Sequence, residues 1–166
     1  PSEDRSLRLL PPAGREAYAG EALRAATWPL VGLVPGAEWA TKRWPAAAYG
    51  ALAADLTGQG ATVMLLGGPS ERALCAEVAA AARAPVRDTA GNSIPEALAL
   101  LARCDLVVGG DTGLVHCARA LGRPTLVLFG PTDPARHLLG PRERAVTLGL
   151  ECQPCHDHGP RRCPLG

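Results

Sequence analysis

Short, continuous apolar runs alternate along this chain with longer segments whose apolar residues recur at helical spacing. "PLVGLVPG" (29–36), "ATVMLLGG" (61–68), "DLVVGG" (105–110) and "PTLVLFG" (124–130) have strand length and stop at glycine. Between them, "AAAYGALAADLTGQG" (46–60), "SERALCAEVAAAAR" (70–83), "SIPEALALLARC" (93–104) and "TGLVHCARALG" (112–122) read as helices, and "PVRD" (85–88) as one more short strand. Ser93 with Glu96 three positions later is capping-box spacing and marks where the third of these helices opens. Strands of unbroken apolar character are buried on both faces, and the helices between them make right-handed crossovers. The expectation is an α/β fold, a Rossmann-like doubly wound parallel sheet over residues 29–150. A polar lead-in or hinge, 1–28, would precede it and carry a helix at "GREAYAGEALRAA" (14–26), and a Cys-rich tail, 151–166, would follow. From residue 141 onward the Pro-, Arg- and Cys-rich sequence reads as irregular.

Composition narrows the function classes. At 166 residues and 47% hydrophobic, the chain can bury one substantial core. With 17 Lys and Arg against 16 Asp and Glu, and no basic run, it lacks the footprint of a nucleic-acid binder, so any basic residue that matters acts locally. No apolar stretch approaches the roughly 20 residues that span a bilayer, and "PSEDRSLRLL" lacks the basic-then-apolar order of a secretory signal, which points to the cytoplasm. The chain starts without Met and stops just after a cysteine cluster, so both ends read as cuts in a longer protein. Cys75, Cys104 and Cys117 lie in alanine-rich surroundings and are expected to be small buried hydrophobes.

Ligands of such folds bind beyond the carboxyl ends of the strands, so the loops there hold the candidates. In "VPGAEWATKRWP" (34–45), Lys42 and Arg43 precede a helix that Pro45 opens. Cations are unfavourable at a helix N-terminus, and an anion held there would repair the mismatch; a solvated loop with two exposed charges carries the same sequence. In "LLGGPSERA" (65–73), Gly67 and Gly68 allow close backbone approach. Glu71 either accepts hydrogen bonds from ribose hydroxyls or simply favours the helix dipole. The pattern is not G-x-G-x-x-G, so no nicotinamide cofactor is indicated. In "GGDTGLVHCARALG" (109–122), Asp111 or Thr112 can cap the helix, and Gly113 clears the backbone N–H groups for a ligand. His116 lies one turn further on the same side, within reach of a phosphate presented there, although a lone histidine is commonly structural.

"PGAEWATKRWP", "GGPSER", "AGNSIPEALALLARCDLVVGGDTGLVHCARALGRPTLVLFGPTDP" and "CQPCHDHGPRRCPLG" together resemble the ADP-heptose:lipopolysaccharide heptosyltransferases of glycosyltransferase family 9, and most the heptosyltransferase II branch. The resemblance runs from about residue 30 to the end. It implies the C-terminal half of a GT-B enzyme, the half that holds the sugar nucleotide, in a protein whose N-terminal half binds the lipopolysaccharide core acceptor and supplies the general base. By the same resemblance Lys42 binds the diphosphate, Glu71 the adenosine ribose, and the Asn92 segment lines the adenine. Gly36 and Ala37 border the donor, Thr112, Gly113 and His116 hold phosphate oxygens, and Asp111 faces the heptose. It implies an inverting, metal-independent transfer from ADP-heptose with no further cofactor, and peripheral membrane association of the complete enzyme. Another GT-B sugar-nucleotide enzyme, such as an epimerase, or a stand-alone nucleotide-binding or interaction module remains an alternative on fold alone. The tail departs from the family pattern, in which a fourth cysteine often follows. Cys152 and Cys155, with Cys163, His156 and His158 nearby, read as a zinc site, a loop of free thiols or a disulfide.

Overall fold

A computed structural model describes residues 8–137, 140–155 and 163. The four apolar runs form strands β1 (Leu30–Val34), β2 (Thr62–Leu65), β4 (Leu106–Gly110) and β5 (Thr125–Leu128), and "PVRD" supplies the two-residue β3 (Arg87–Asp88). All pairings are parallel, in the order β3-β2-β1-β4-β5-β6. This is the doubly wound arrangement, in which the order of strand addition reverses between β1 and β4. Helices α1 (Glu16–Ala22), α2 (Ala46–Gly58), α3 (Arg72–Ala82), α4 (Ile94–Leu101) and α5 (Gly113–Ala120) make the cover. No helix is long and apolar enough to cross a membrane among the described residues.

Side-chain alternation along β1 divides the core. Leu30 and Val34 pack with Met64, Leu100, Val107, Val115 and Val127 on the face covered by α1, α4 and α5. Val31 and Leu33 pack with Tyr49, Ala53, Val63, Cys75 and Val78 under α2 and α3. Every residue of β1 is buried, which is why its sequence carries no polar alternation. Cys75 and Cys104 are wholly buried, and burial pushes both thiols up to about 12. Cys117 is only half-buried and lines a cavity described below.

The start of α4 follows the spacing of its sequence: the Ser93 backbone N–H donates to Glu96 at 2.9 Å and its hydroxyl at 2.6 Å. Residues 141 onward correct the expectation of irregular chain. Glu143–Val146 forms a sixth strand, β6, pairing with β5 from Thr125↔Glu143 to Leu128↔Val146. It is an edge strand whose residues alternate between half-buried and exposed, so its charged "ERAV" sequence hides a strand. Beyond it, the Gln153 side-chain amide donates to the Phe129 carbonyl at 3.0 Å and Cys155 N–H to the Pro131 carbonyl at 2.9 Å, laying the tail against the loop after β5.

Candidate functional site

Two cavities open where β1 and β4 end, at the switch point. The first, about 360 Å³, is lined by Gly36, Ala37, Gly67, Glu71, Asn92 and Cys117 together with apolar Val34, Leu66, Ile94 and Leu114. The second, about 310 Å³, is lined by Glu38, Trp39, Lys42, Asp111 and His116. Glu38, Thr112 and Gly113 border both, so the two form one cleft with an apolar and a polar chamber. The nine residues that the resemblance assigns to the donor all lie along this cleft, whereas Arg43 lines neither chamber.

Glycines set the walls. A Cβ on Gly110 would stand 2.5 Å from the Lys42 carbonyl oxygen, and one on Gly130 2.7 Å from that of Thr41. These two positions let the Ala40–Lys42 turn lie across the ends of β4 and β5, which brings Lys42 over Asp111. Gly110→Ala is therefore expected to displace the turn, at a cost of about 1–3 kcal/mol in stability. A thermal melt checks it; a variant that melts with the parent would mean that the close approach is unimportant. In the apolar chamber, Gly36 and Gly67 admit the Glu71 side chain, since their Cβ atoms would meet its Cγ and Cβ at 2.4 and 2.7 Å. Glu71 accepts from the Gly68 N–H and the Ser70 hydroxyl, both at 2.8 Å. Tyr18 of α1 donates to Asn92 Oδ1 at 2.5 Å, while Asn92 Nδ2 is buried and unpartnered among the described residues.

The polar chamber centres on Asp111, whose side chain is 6% exposed. Oδ2 accepts from Lys42 Nζ at 2.6 Å and from the Thr132 hydroxyl at 3.0 Å, and Oδ1 bonds His116 Nε2 at 2.9 Å. Burial works to raise this carboxyl's pKa, but the hydrogen bonds from His116 and Lys42 and the lysine's charge override it and hold it well below the usual carboxylate range. Lys42 Nζ also sits 5.6 Å from the centre of the Trp39 ring. Thr112 occupies the N-cap position of α5, yet its side chain makes no cap hydrogen bond. Asp111 is turned to Lys42, His116 and Thr132. Neither residue caps α5 through its side chain as the sequence suggested, and the first turn's N–H groups border the cleft. The charge opposite Lys42 here is the Asp111 carboxylate, and Arg43 does not simply face solvent: its Nε donates to the Ala37 carbonyl at 2.7 Å.

Sequence reasoning missed several residues. Thr132 follows β5 in "GPTDP", a position that the rule of strand-end loops would have reached. His137 stacks on His116 with ring centres 5.3 Å apart and planes 8° apart, and its Nε2 lies 3.6 Å from Asp111 Oδ1. Burial holds the His137 pKa below its usual value against the pull of Asp111. Nothing local in "PARH" signals that contact. Cys152, Cys155 and Cys163 are exposed free thiols lining a separate cavity of about 210 Å³ with Thr41, Phe129 and Leu148; His156 and His158 lie outside the described residues.

An open parallel sheet with a two-chambered cleft at its switch point, bordered by a lysine and a helix start, is the arrangement of a doubly wound, Rossmann-like α/β domain. The model for glycosyltransferase family 9 (heptosyltransferase) matches residues 11–163, and the chain belongs to that family. It is 39% identical over 112 residues to lipopolysaccharide heptosyltransferase 2 of Salmonella typhimurium, covering 64% of this chain and 32% of that protein. To lipopolysaccharide heptosyltransferase 1 of Pseudomonas aeruginosa it is 38% identical over 135 residues, covering 76% of this chain and 36% of that protein. Among solved structures, ADP-heptose lps heptosyltransferase II of E. coli superposes with a TM-score of 0.75 at 33% identity, over 84% of this chain and 44% of that one. E. coli heptosyltransferase WaaC with ADP gives 0.65 at 27% identity, over 78% of this chain and 42% of that one. The chain thus spans about a third of the length of the curated relatives it matches.

Proposed function

We propose that this chain is the donor-binding part of an inverting heptosyltransferase that moves heptose from ADP-heptose to the lipopolysaccharide inner core. The observation that carries the reading is the joined cleft, apolar on one side and holding Lys42 and the α5 N-terminus on the other. An adenosine fits the apolar chamber, with the Asn92 Nδ2 donor available to a ring nitrogen and Glu71 near the ribose. The diphosphate then crosses Thr112 and Gly113 into the polar chamber, where Lys42, His116 and free helix N–H groups offer donors. E. coli WaaC structures with ADP and with ADP-2-deoxy-2-fluoro heptose support a nucleotide of this class.

As the anomeric carbon leaves the diphosphate, negative charge grows on the departing oxygen. A preorganised cation and helix N–H groups stabilise that charge more in the transition state than in the ground state, so the transfer proceeds without a metal or other cofactor. The acceptor hydroxyl needs a general base, which the resemblance assigns to an N-terminal half that also binds the core oligosaccharide. In this reading the complete enzyme works at the cytoplasmic face of the inner membrane as a peripheral protein. An assay with ADP-heptose and truncated lipopolysaccharide tests the division of labour. The 166-residue chain alone should give no measurable turnover and the complete enzyme should transfer heptose; robust transfer by the chain alone would overturn it.

A further inference from the structure

Arg119, three residues beyond His116 on α5, is mostly buried at 16% side-chain exposure and bonds in three directions. Its Nη1 lies 3.0 Å from His116 Nδ1, its Nη2 donates to the His137 carbonyl at 2.6 Å, and Nη2 pairs with Glu143 Oε2 at 2.9 Å. Glu143, 13% exposed, is itself held by the Gly140 N–H at 2.9 Å. A guanidinium carries donors only and stays protonated. At the Nδ1 contact the imidazole must therefore offer its lone pair, which leaves the ring proton on Nε2, where Asp111 Oδ1 waits at 2.9 Å. A ring flip would put carbon atoms against both partners, so the two contacts together fix the orientation as well.

We infer that Arg119, anchored by Glu143 of β6, is a positioning residue that fixes His116 as the neutral Nε2–H tautomer, so that His116 meets the polar chamber as a hydrogen-bond donor and not as a base. The groups facing His116 are Asp111 after β4, Arg119 on its own helix, and His137 stacked against it, with Lys42 on the far side of Asp111. Two consequences follow. The Nε2 proton is held by Asp111 Oδ1, so an anion in the chamber meets no lone pair on that nitrogen and reaches its N–H by sharing it with the carboxylate. Asp111, His116 and His137 bring their ligand atoms within 4.8 Å of one another, the spacing of a metal site, but Nε2 carrying a proton has no lone pair for a cation. The edge strand is also tied to the site, since the Arg119 anchor is its first residue. None of this depends on which nucleotide the cleft holds.

The test is nitrogen-15 NMR of the ligand-free chain with labelled histidine at pH 7, the His116 signals being assigned by their loss in His116→Gln. The expected pattern has Nδ1 at the shift of an unprotonated ring nitrogen and Nε2 at that of an N–H. In Arg119→Met the Nδ1 signal should move toward the protonated position, and Arg119→Lys should restore part of the parent pattern. A parent protein with its proton on Nδ1 overturns the inference, as does a folded Arg119→Met variant whose His116 signals match the parent's. Should Arg119→Met fail to fold, the parent spectrum still decides the tautomer. Glu143→Gln, which loosens the anchor and keeps the arginine, then decides the positioning: it should shift His116 Nδ1 in the same direction, and an unmoved signal would overturn it.

Discussion

Lys42→Ala in the complete enzyme is expected to lower kcat/KM by roughly one to two decades, the equivalent of a charge-assisted hydrogen bond worth about 1.5–3 kcal/mol. The lysine is held over the polar chamber by its 2.6 Å bond to Asp111 and by the turn that Gly110 and Gly130 admit. It is thus oriented before any ligand arrives, and little of its contribution is lost to ordering. Because charge on the leaving oxygen grows as the glycosidic bond breaks, the loss should fall on kcat as well as KM. Arg43→Ala should do less. Its guanidinium secures the Ala37 carbonyl, so removal loosens the wall of the apolar chamber without taking a donor from the polar one. Steady-state kinetics of both variants, with thermal melts to verify folding, checks this. A folded Lys42→Ala enzyme with parental kcat and KM would remove the lysine from the diphosphate site.

Asp111→Asn is expected to destabilise the domain by about 2–3 kcal/mol at pH 7, since it takes the charge from a buried pair and forces an amide N–H against one of the donors now facing the carboxylate. For a chain of this size that corresponds to a fall in Tm of roughly 4–12 °C. The pH dependence has a definite sign. The folded-state pKa of Asp111 is depressed, so the stability it contributes is fully present above the unfolded-state value, about 3.9, and is lost as pH falls from there toward the folded-state value. Urea melts of parent and variant should therefore differ most near neutrality, and the gap should narrow below about pH 4. A gap that stays constant or widens in acid would mean that the Asp111 charge does not stabilise the fold.

The strands of the sheet's middle were legible because burial on both faces leaves a continuous apolar run, as in β1, β2, β4 and β5. The edge strand β6 was not, since half of its residues face solvent and its sequence, Glu-Arg-Ala-Val, opens on two charged residues and shows no apolar run. The same division runs through the site. Asp111, Thr112, Gly113 and His116 follow one another at a strand end, where a single stretch of sequence carries the whole pattern. Arg119 stands three residues beyond His116 on the same helix, whereas Thr132 and His137 join the site only through packing of α5 against the loop after β5. The i,i+3 spacing puts Arg119 beside His116, but an arginine in a helix ordinarily points to water, so nothing local marks its burial against Glu143. The role of Gly110 was hidden for a similar reason, because the backbone it accommodates comes from a loop far away in sequence.

Calorimetry on this chain with ADP, UDP and NAD tests the central claim most directly, because it asks whether the apolar chamber selects adenine and the polar chamber a terminal diphosphate. On this reading ADP binds measurably, UDP and NAD bind more weakly, and Lys42→Ala weakens ADP binding while leaving its preference over UDP in place. Equal affinity for all three nucleotides in the parent chain would contradict it.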